Sequence, residues 1–379
     1  MSLLTRKSTI LAKIEGTYAT DPTPTGSANA ILVGNLTVTP LDADLVERPI
    51  IKPFLGNADK LIAESRVKIQ FDVEMAGAGV PGIAPGYAPL LKACAFAEDL
   101  NTAAVTISSV TTTATVTETA HGRSNGSYVK ISGATETEYN GNFVIAVTGA
   151  NTYTYTMLSD PAGSSATGSP VVGIDAQYAP VSESFDSITI YYNNDGVLHK
   201  ATGSRGTVKF GLNVKQIPVM TFIFTALYNS PSDTAAPTVD YDAFLQPKIA
   251  NTANTTDFSL HGFSGYLQSM EFDMANDVQF RTLIGYQSVN IIDRKPAGTF
   301  VLEAPTMADK NFFDAAIDGD VDTMSITHGN FSGNIIMLDA PRVSIQNPNY
   351  QDSQGVQMLS IPFTATPDSG NDELLITVK

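Results

Sequence analysis

The feature that most constrains this fold is an internal repeat, because a repeated sequence unit is expected to fold in the same way each time it occurs. Ser187-Ile-Thr recurs downstream as Ser325-Ile-Thr, and Phe224-Thr-Ala recurs as Phe363-Thr-Ala. The spacing between the two landmarks is almost the same in both occurrences. We infer that the chain contains two copies of one unit.

The first copy of the repeat is interrupted. Asp44-Leu-Val-Glu-Arg matches Asp277-Val-Gln-Phe-Arg, and Leu90-Leu matches Phe312-Phe. These upstream matches lie much farther apart in the chain than the matches at Ser187 and Phe224. The difference is close to the length of residues 101–173, which we interpret as an insert.

The composition of residues 101–173 changes abruptly to Thr, Ser, Gly and Ala, with few charged side chains. Short strand-like pieces alternate there with turn signals at His121-Gly, Asn125-Gly and Asp160-Pro-Ala-Gly. We therefore predict a small, independent β-module inserted into the first unit.

Alternation of apolar and polar side chains predicts strands within the units. Residues 66–75 alternate strictly, which indicates a strand with one buried face and one wet face. The wet face of this strand carries Lys68, Gln70, Asp72 and Glu74. Short helices are predicted at 87–96 and 308–317. So few helices exclude a doubly wound α/β fold and favour β-sandwich or partly closed barrel units.

The charge and the cysteine content exclude several classes of protein. A net charge of −16 disfavours binding to nucleic-acid phosphates or to anionic lipid. Cys94 stands alone, so no intrachain disulfide is expected. The most apolar run, 217–227, is too short to span a bilayer, and the opening Met1-Ser-Leu-Leu lacks the apolar core of a signal peptide. We expect no membrane insertion and folding in a cytoplasm.

Residue patterns typical of catalysis are missing from the sequence. The four histidines are scattered and form no metal-ligand spacing: His121, His199, His261 and His328. Cys94 lies on the apolar stripe of a short predicted helix, where a thiol behaves as a small hydrophobe. Asp318-Gly-Asp-Val-Asp lacks the Gly and Glu positions of a calcium loop and is read as a solvated turn. We expect no catalytic, metal or cofactor site and no enzyme.

Residues 1–34 are predicted to form an N-terminal arm. They combine a possible short helix at 8–15 with the linker-like Thr20-Asp-Pro-Thr-Pro-Thr-Gly-Ser. Extended Pro/Thr segments do not build a core and commonly reach a neighbouring molecule. We expect this arm to be disordered in the free subunit and to order on assembly.

Several stretches resemble the tail tube (major tail) proteins of long-tailed, non-contractile bacteriophages. They are Leu3-Leu-Thr-Arg-Lys-Ser, Gly16-Thr-Tyr-Ala-Thr-Asp-Pro-Thr-Pro, Leu36-Thr-Val-Thr-Pro-Leu, residues 67–74 with the helix that follows, and residues 208–226. The resemblance covers the chain outside 101–173. The insert resembles small β repeats of phage tail and baseplate proteins at His121-Gly-Arg-Ser-Asn-Gly-Ser-Tyr and Tyr139-Asn-Gly-Asn-Phe.

The resemblance implies a mainly β fold, with two tandem tail-tube-like β-sandwich or barrel units, each with a short helix, and a small all-β insert facing outward. Tube domain 1 would comprise 35–100 and 174–230, and tube domain 2 would comprise 231–379. Subunits would close into rings around a continuous β-barrel lumen, and the rings would stack into a tube that conducts the genome. Most family members carry one unit and form hexamers. Two units per chain favour a homotrimeric, pseudo-sixfold ring, with a hexamer as the alternative.

The resemblance also suggests partners and candidate residues. Other tail proteins (the tape measure, the tail terminator and the tail tip) would bind the tube, and DNA would pass through it without specific binding. The protein would be made and assembled in the host bacterial cytoplasm and would reside in the virion tail. The candidate lumen or polar-wall residues are Lys68, Gln70, Asp72 and Glu74, and the candidate inter-ring arm residues are Arg6, Lys7, Asp21, Pro22 and Pro24.

Two other functional classes remain open at this point. The chain could be another structural β-protein of a virion or cell surface, such as a decoration or tail-tip protein. The Thr/Ser/Gly-rich insert would also suit a carbohydrate-binding or adhesive module.

Overall fold

The computed structural model of the chain describes residues 4, 6–123 and 125–379, and the fold is mainly β. Two β units with short helices follow one another, and a small all-β insert interrupts the first. The first unit contains β1 (Ser8–Ile14), α1 (Gly26–Asn29), β2 (Ala30–Ile31), β3 (Gly34–Glu47), β4 (Lys60–Glu74), α2 (Ala88–Ala93), β5 (Phe96–Ala104), β12 (Gly168–Pro180), β13 (Ile188–Asn194), β14 (Val197–Asn213), β15 (Val219–Tyr228) and β16 (Ser232–Asp233).

The insert lies between β5 and β12. It contains β6 (Thr106–Val110), β7 (Thr113–Thr117), β8 (Tyr128–Ala134), a 3₁₀ turn (Thr137–Tyr139), β9 (Gly141–Val144), β10 (Ala146–Gly149) and β11 (Thr152–Thr156). The second unit contains β17 (Thr255–Leu260), β18 (Leu267–Asp273), β19 (Asn276–Leu283), β20 (Tyr286–Arg294), β21 (Ala297–Glu303), α3 (Phe312–Asp318), β22 (Val321–His328), β23 (Ile336–Ile345), β24 (Asn349–Ser353), β25 (Val356–Ala365) and β26 (Leu375–Val378).

The two units share one strand order. In the first unit the neighbours are β1-β13-β14-β15-β4-β3. In the second unit they are β17-β22-β23-β25-β21-β18. β24 follows β23 in the chain and pairs with the next part of β25, on the same edge as β23. In both units the short helix follows the equivalent strand, β4 or β21.

Strand β14 joins the two units into one sheet. The first part of β14 pairs with β13, and its last residues, Lys209 to Asn213, pair with β18 of the second unit. The result is an eight-stranded sheet in the order β3-β4-β15-β14-β18-β21-β25-β24, which we call the long sheet. β26 adds a second link, because it pairs with both β12 and β23.

Each unit buries a group of three phenylalanines, of which two occupy equivalent positions: Phe71 corresponds to Phe300, and Phe224 to Phe363. Phe71, Phe222 and Phe224 pack together in the first unit, with ring centroids about 6 Å apart. Phe272, Phe300 and Phe363 pack together in the second unit. All six are fully buried in one continuous cluster, and burial of one such side chain contributes about 1.5–3 kcal/mol. The phenylalanines therefore fix which face of the long sheet points inward.

The insert packs around a hydrophobic cluster of its own. That cluster is built by Ile107, Val116, Tyr139, Tyr153 and Tyr155 among others, and none of its members belongs to the main cluster. The strands that enter and leave the insert, β5 and β12, pair along their length, with Ala104 opposite Val171. A separate core and adjacent entry and exit strands are the features expected of an inserted module.

The N-terminal segment differs from the prediction. The helix predicted over 8–15 is wrong: Ser8–Ile14 is strand β1, which pairs with β13 of the same chain. Ile10, Leu11 and Ala12 are buried because β1 covers the edge of β13, so these residues are part of the fold and do not form a disordered arm. Residues 1–3 and 5 of the predicted arm lie outside the described residues.

Glu15 explains why the chain after β1 is also held in place. Its buried carboxylate accepts hydrogen bonds from the Ser187 and Thr189 hydroxyls, both at 2.6 Å. It also accepts from the backbone N–H groups of Gly203 and Ala19, both at 2.7 Å. Four donors thus converge on one carboxylate and fix residues 15–19 against β13 and β14.

Candidate functional site: the polar face of the long sheet

The polar side chains of β4 lie on the face of the long sheet that points away from the core. Lys68, Gln70 and Glu74 are exposed and Asp72 is half-buried, while the intervening residues are buried. The structure therefore brings all four predicted residues together on one polar face, which we call the polar face. Whether that face lines a lumen stays a prediction.

Hydrogen bonds connect this face across the strands. Asp72 accepts from the Thr221 hydroxyl at 2.6 Å and from the Asn35 side chain at 2.7 Å, so it links β15, β4 and β3. Lys68 forms an ion pair with Asp42 at 2.8 Å, and its hydrogen bond holds the pKa of Asp42 below its usual value. Because these partners come from neighbouring strands, they help to fix the register of the sheet.

The polar face continues across the joint into the second unit. Lys209 on β14 lies opposite Asp273 on β18, and the two form an ion pair at 2.9 Å. The hydrogen bond to Asp273 raises the pKa of Lys209. Glu271 on β18 and Glu303 on β21 are exposed on the same face.

Carboxylates outnumber cations on the polar face. Outside residues 42–66, at one end of the sheet, it carries Lys68, Arg205 and Lys209 against Asp72, Glu74, Glu271, Asp273 and Glu303. The positions between them hold mostly Thr, Ser, Asn and Gln. The face is therefore hydrophilic and electronegative, and it lacks the cluster of cations that binds a polyanion.

The second half of this face was not predicted from the sequence. Residues 269–273 alternate polar and apolar with period two, and that pattern could have identified Glu271 and Asp273. The pairing of β14 with β18 could not have been found in this way, because it depends on which of several strands become neighbours.

The predicted arm residues contact their own chain. Asp21 accepts from the Tyr191 hydroxyl at 2.5 Å and from Lys200 at 2.9 Å. Burial alone would raise the pKa of Asp21, but these two hydrogen bonds outweigh burial and lower it. The Pro22 carbonyl accepts from the Lys13 ammonium at 3.0 Å.

The other predicted arm residues differ in exposure. Pro24 is buried, Lys7 pairs with Asp195 at 3.6 Å, and Arg6 is exposed. An inter-ring role for these residues stays a prediction.

Reactive side chains occupy structural positions. Burial raises the pKa of the Cys94 thiol, which keeps it protonated. The rings of His261 and His328 are buried and hydrogen-bond to the backbone carbonyls of Val343, at 2.7 Å, and Lys248, at 3.1 Å. Within the described ranges, no three His, Cys, Asp or Glu side chains converge as a metal site would require. Over the same ranges, no helix is long and apolar enough to cross a membrane.

Comparison with known families decides the class of protein. The family model described as "Phage tail tube protein" matches residues 5–365. The chain belongs to the phage tail tube family. The tail tube protein is therefore a structural component of a phage tail, as the resemblance in the sequence predicted.

Comparisons with individual proteins add little. A search of curated proteins finds no match to the tail tube protein. Among solved structures, phage phi92 endosialidase is 10% identical over 81% of this chain and 54% of that chain, with a TM-score of 0.20. The tail tube protein thus spans about half the length of that structure, and a likeness at this TM-score carries no argument about fold or activity.

Proposed function

We propose that the protein closes into rings that stack into the tail tube, and that the polar face of the long sheet lines an acidic lumen through which the genome enters the host. The observation that carries this proposal is the long sheet itself: it joins both units, buries one face, exposes an electronegative face, and ends in β3 and β24. Each of these end strands has a neighbour on one side only within the described residues.

Unpaired sheet edges favour a closed assembly. An exposed edge is a template for another strand, and closure of the sheet into a barrel removes it. A ring of three chains would place three copies of the eight-stranded sheet around the bore. With strands about 4.8 Å apart and tilted by about 40°, the backbone diameter would be roughly 45–50 Å.

This diameter supports the trimeric, pseudo-sixfold ring. After side chains are allowed for, such a bore still admits duplex DNA. A ring of six chains with both units in the wall, the alternative, would be about twice as wide because the barrel diameter grows with strand number.

The charge of the polar face supports passage of DNA without binding. Duplex DNA carries one negative charge per roughly 1.7 Å of its axis, so cations in the wall would retain it. Five carboxylates against three cations over the part of the face outside residues 42–66 would repel it instead.

The remaining elements fit the outside and ends of such a tube. The insert, with its separate core, would project outward, since a module of that size would block the bore. The ends of the tube would bind the tape measure, the tail terminator and the tail tip proteins. The protein would be made and assembled in the host bacterial cytoplasm before it becomes part of the virion tail.

Electron microscopy of the purified protein at high concentration tests this proposal. We expect rings of three chains and hollow tubes with a central channel. Persistent monomers at every concentration would contradict it, and monomers that bind glycans would instead support the adhesive alternative. Decoration of a preformed virion surface without tube formation would support the decoration or tail-tip alternative.

A further inference from the structure

The two units of one chain meet through a defined joint, which we call the internal joint. Its first part is strand pairing: Lys209 lies opposite Asp273, Phe210 opposite Phe272, and Gly211 opposite Glu271. Phe210 and Phe272 are fully buried there. The edge strand of the second unit thus completes the sheet of the first.

The second part of the internal joint is a hairpin. The hairpin β19–β20 of the second unit lies against the first unit, where the Asn276 side chain donates to the carbonyls of Cys94 at 2.9 Å and Gly206 at 3.1 Å. Arg205 donates to the Val289 carbonyl at 3.0 Å, and Val289 is fully buried. The hairpin therefore occupies the space between the end of α2 and β14.

Each of the two strands that pair in this joint has a counterpart in the other unit that has an unpaired edge in a single chain. Because the strand orders match, β3 corresponds to β18, and β24 corresponds to the last residues of β14. The correspondence is set by paired residues: Phe71 lies opposite Phe222 as Phe300 lies opposite Ile361. Within the described residues, β3 pairs only with β4, and β24 pairs only with β25.

The counterpart of the hairpin β19–β20 is the outer part of β3–β4, residues 42–66, which we call the free hairpin. Its cross-strand pair Leu45 and Ile62 corresponds to Val278 and Ile291. Ile291 is only 7% exposed because it lies against the first unit, whereas Ile62 is 58% exposed and Leu45 is 55% exposed. The tip of the free hairpin exposes three more apolar side chains: Ile51, Phe54 and Leu55.

The counterpart of the space filled by β19–β20 is an open groove. This groove, which we call the α3 groove, lies between α3 and the end of β23 and has a volume of about 550 Å³. It is lined by Phe313, Ala316, Ile317, Ile345 and Pro348 among others. Ile345 takes the position of Gly206. By the match of Leu90 with Phe312, Ile317 at the end of α3 corresponds to Ala95 after α2; Ala95 is 1% exposed, whereas Ile317 is 82% exposed.

We propose that a second copy of this chain repeats the internal joint between molecules. β3 of one copy pairs with β24 of the next, with Thr39 opposite Asn349, Val38 opposite Tyr350, and Thr37 opposite Gln351. The free hairpin of the first copy then fills the α3 groove of the second. This inference rests on the proposed self-assembly and specifies its contact. The contact joins two different surfaces, so it propagates around a ring.

Disulfide cross-linking tests the register. The variant Thr37→Cys with Gln351→Cys places two thiols opposite each other across the proposed joint, where antiparallel partners lie about 4.5–5.5 Å apart. We expect a ladder of cross-linked species on a non-reducing gel that ends at one closed oligomer. Cys94 is buried and does not compete.

Two further variants serve as controls for the cross-link. Gly211→Cys with Glu271→Cys is the matched internal pair and should cross-link within one chain; a Cβ at Gly211 meets only ordinary contacts. Thr37→Cys with Asn349→Cys is displaced along the strand and should not cross-link, because diagonal partners lie about 7–8 Å apart. Equal cross-linking of the displaced pair and the aligned pair would overturn the proposed register.

A mixing experiment tests the polarity of the joint. Ile62→Asp disables the free hairpin and Ile317→Asp disables the groove, and both side chains are exposed in the single chain. We expect each variant alone to stay monomeric, and an equal mixture to give dimers, because only one intact joint can form. Leu158→Asp, an exposed position in the insert, should assemble like the unmodified chain.

The outcomes separate this inference from the proposed function. If the unmodified chain forms no rings or tubes, the proposed function fails. If it forms tubes and both aspartate variants also form them normally, the function stands and the joint proposed here is wrong. Light scattering after size-exclusion chromatography distinguishes these cases, and circular dichroism shows whether each variant is folded.

Discussion

The carboxylate of Glu15 allows a quantitative test of whether the N-terminal segment belongs to the fold. It is 7% exposed and accepts four hydrogen bonds, two from hydroxyls and two from backbone N–H groups. Glu15→Gln keeps the shape but replaces one accepting oxygen by a donor, which then faces the N–H of Ala19. A hydrogen bond to a charged group is worth about 1.5–3 kcal/mol, and a buried donor left unpaired costs a similar amount.

We expect Glu15→Gln to lower the free energy of unfolding by about 3–6 kcal/mol, the sum of one lost charged hydrogen bond and one unpaired donor. For a chain of 379 residues, an unfolding entropy of about 2.1 cal/mol/K per residue converts this to a fall in Tm of about 4–8 °C. Urea denaturation and calorimetry measure both quantities. Glu47→Gln, at an exposed ion pair with Lys60, is the control and should change stability by less than about 1 kcal/mol. Equal stability of the two variants would refute the structural role of Glu15 and return residues 8–24 to the status of an arm.

Three further predictions concern other parts of the molecule. Replacement of residues 105–170 by Asn-Gly should leave tube formation intact, since Ala104 and Val171 are already paired and a two-residue turn can join them; loss of folding would place the insert in the main core. The triple variant Glu74→Lys, Glu271→Lys, Glu303→Lys should form tubes that bind duplex DNA with a steep salt dependence. Co-sedimentation of DNA with the tubes measures this binding, and unmodified tubes should bind no DNA. Burial lowers the pKa of His328 below 6.5, so the unfolded chain binds the proton more tightly and stability should fall as the pH drops through 6.5. Denaturation at about pH 7.5 and 5.5 measures this loss of stability, and we expect a smaller loss in His328→Gln than in the unmodified chain. An equal loss in both would show that His328 plays no part.

The local alternation of polar and apolar residues was enough to predict a mainly β fold and the part of the polar face that lies on β4. The alternation in residues 66–75 depends only on neighbours in sequence, and it correctly separated Lys68 and Glu74 from the buried Phe71. The repeat of Phe224-Thr-Ala as Phe363-Thr-Ala also reflects a local requirement, because both phenylalanines fill the core at equivalent places.

Features that depend on distant partners were not predicted. Residues 8–15 have a pattern compatible with either a helix or a strand, and pairing with β13 decides in favour of the strand. Lys209 and Asp273 become neighbours only because β14 continues past β13 into the second unit. The role of Glu15 likewise depends on donors that lie on the far side of the insert in sequence.

The strand β14 is shared between the two units, and this has a consequence for assembly kinetics. In the proposed three-chain ring, half of the contacts would form during folding of each polypeptide, where the partners are tethered and meet at a high effective concentration. Only the other half would require separate molecules to collide and lose translational freedom. Fusion of the two units would therefore lower the number of collisions needed per ring and the subunit concentration at which growth can begin.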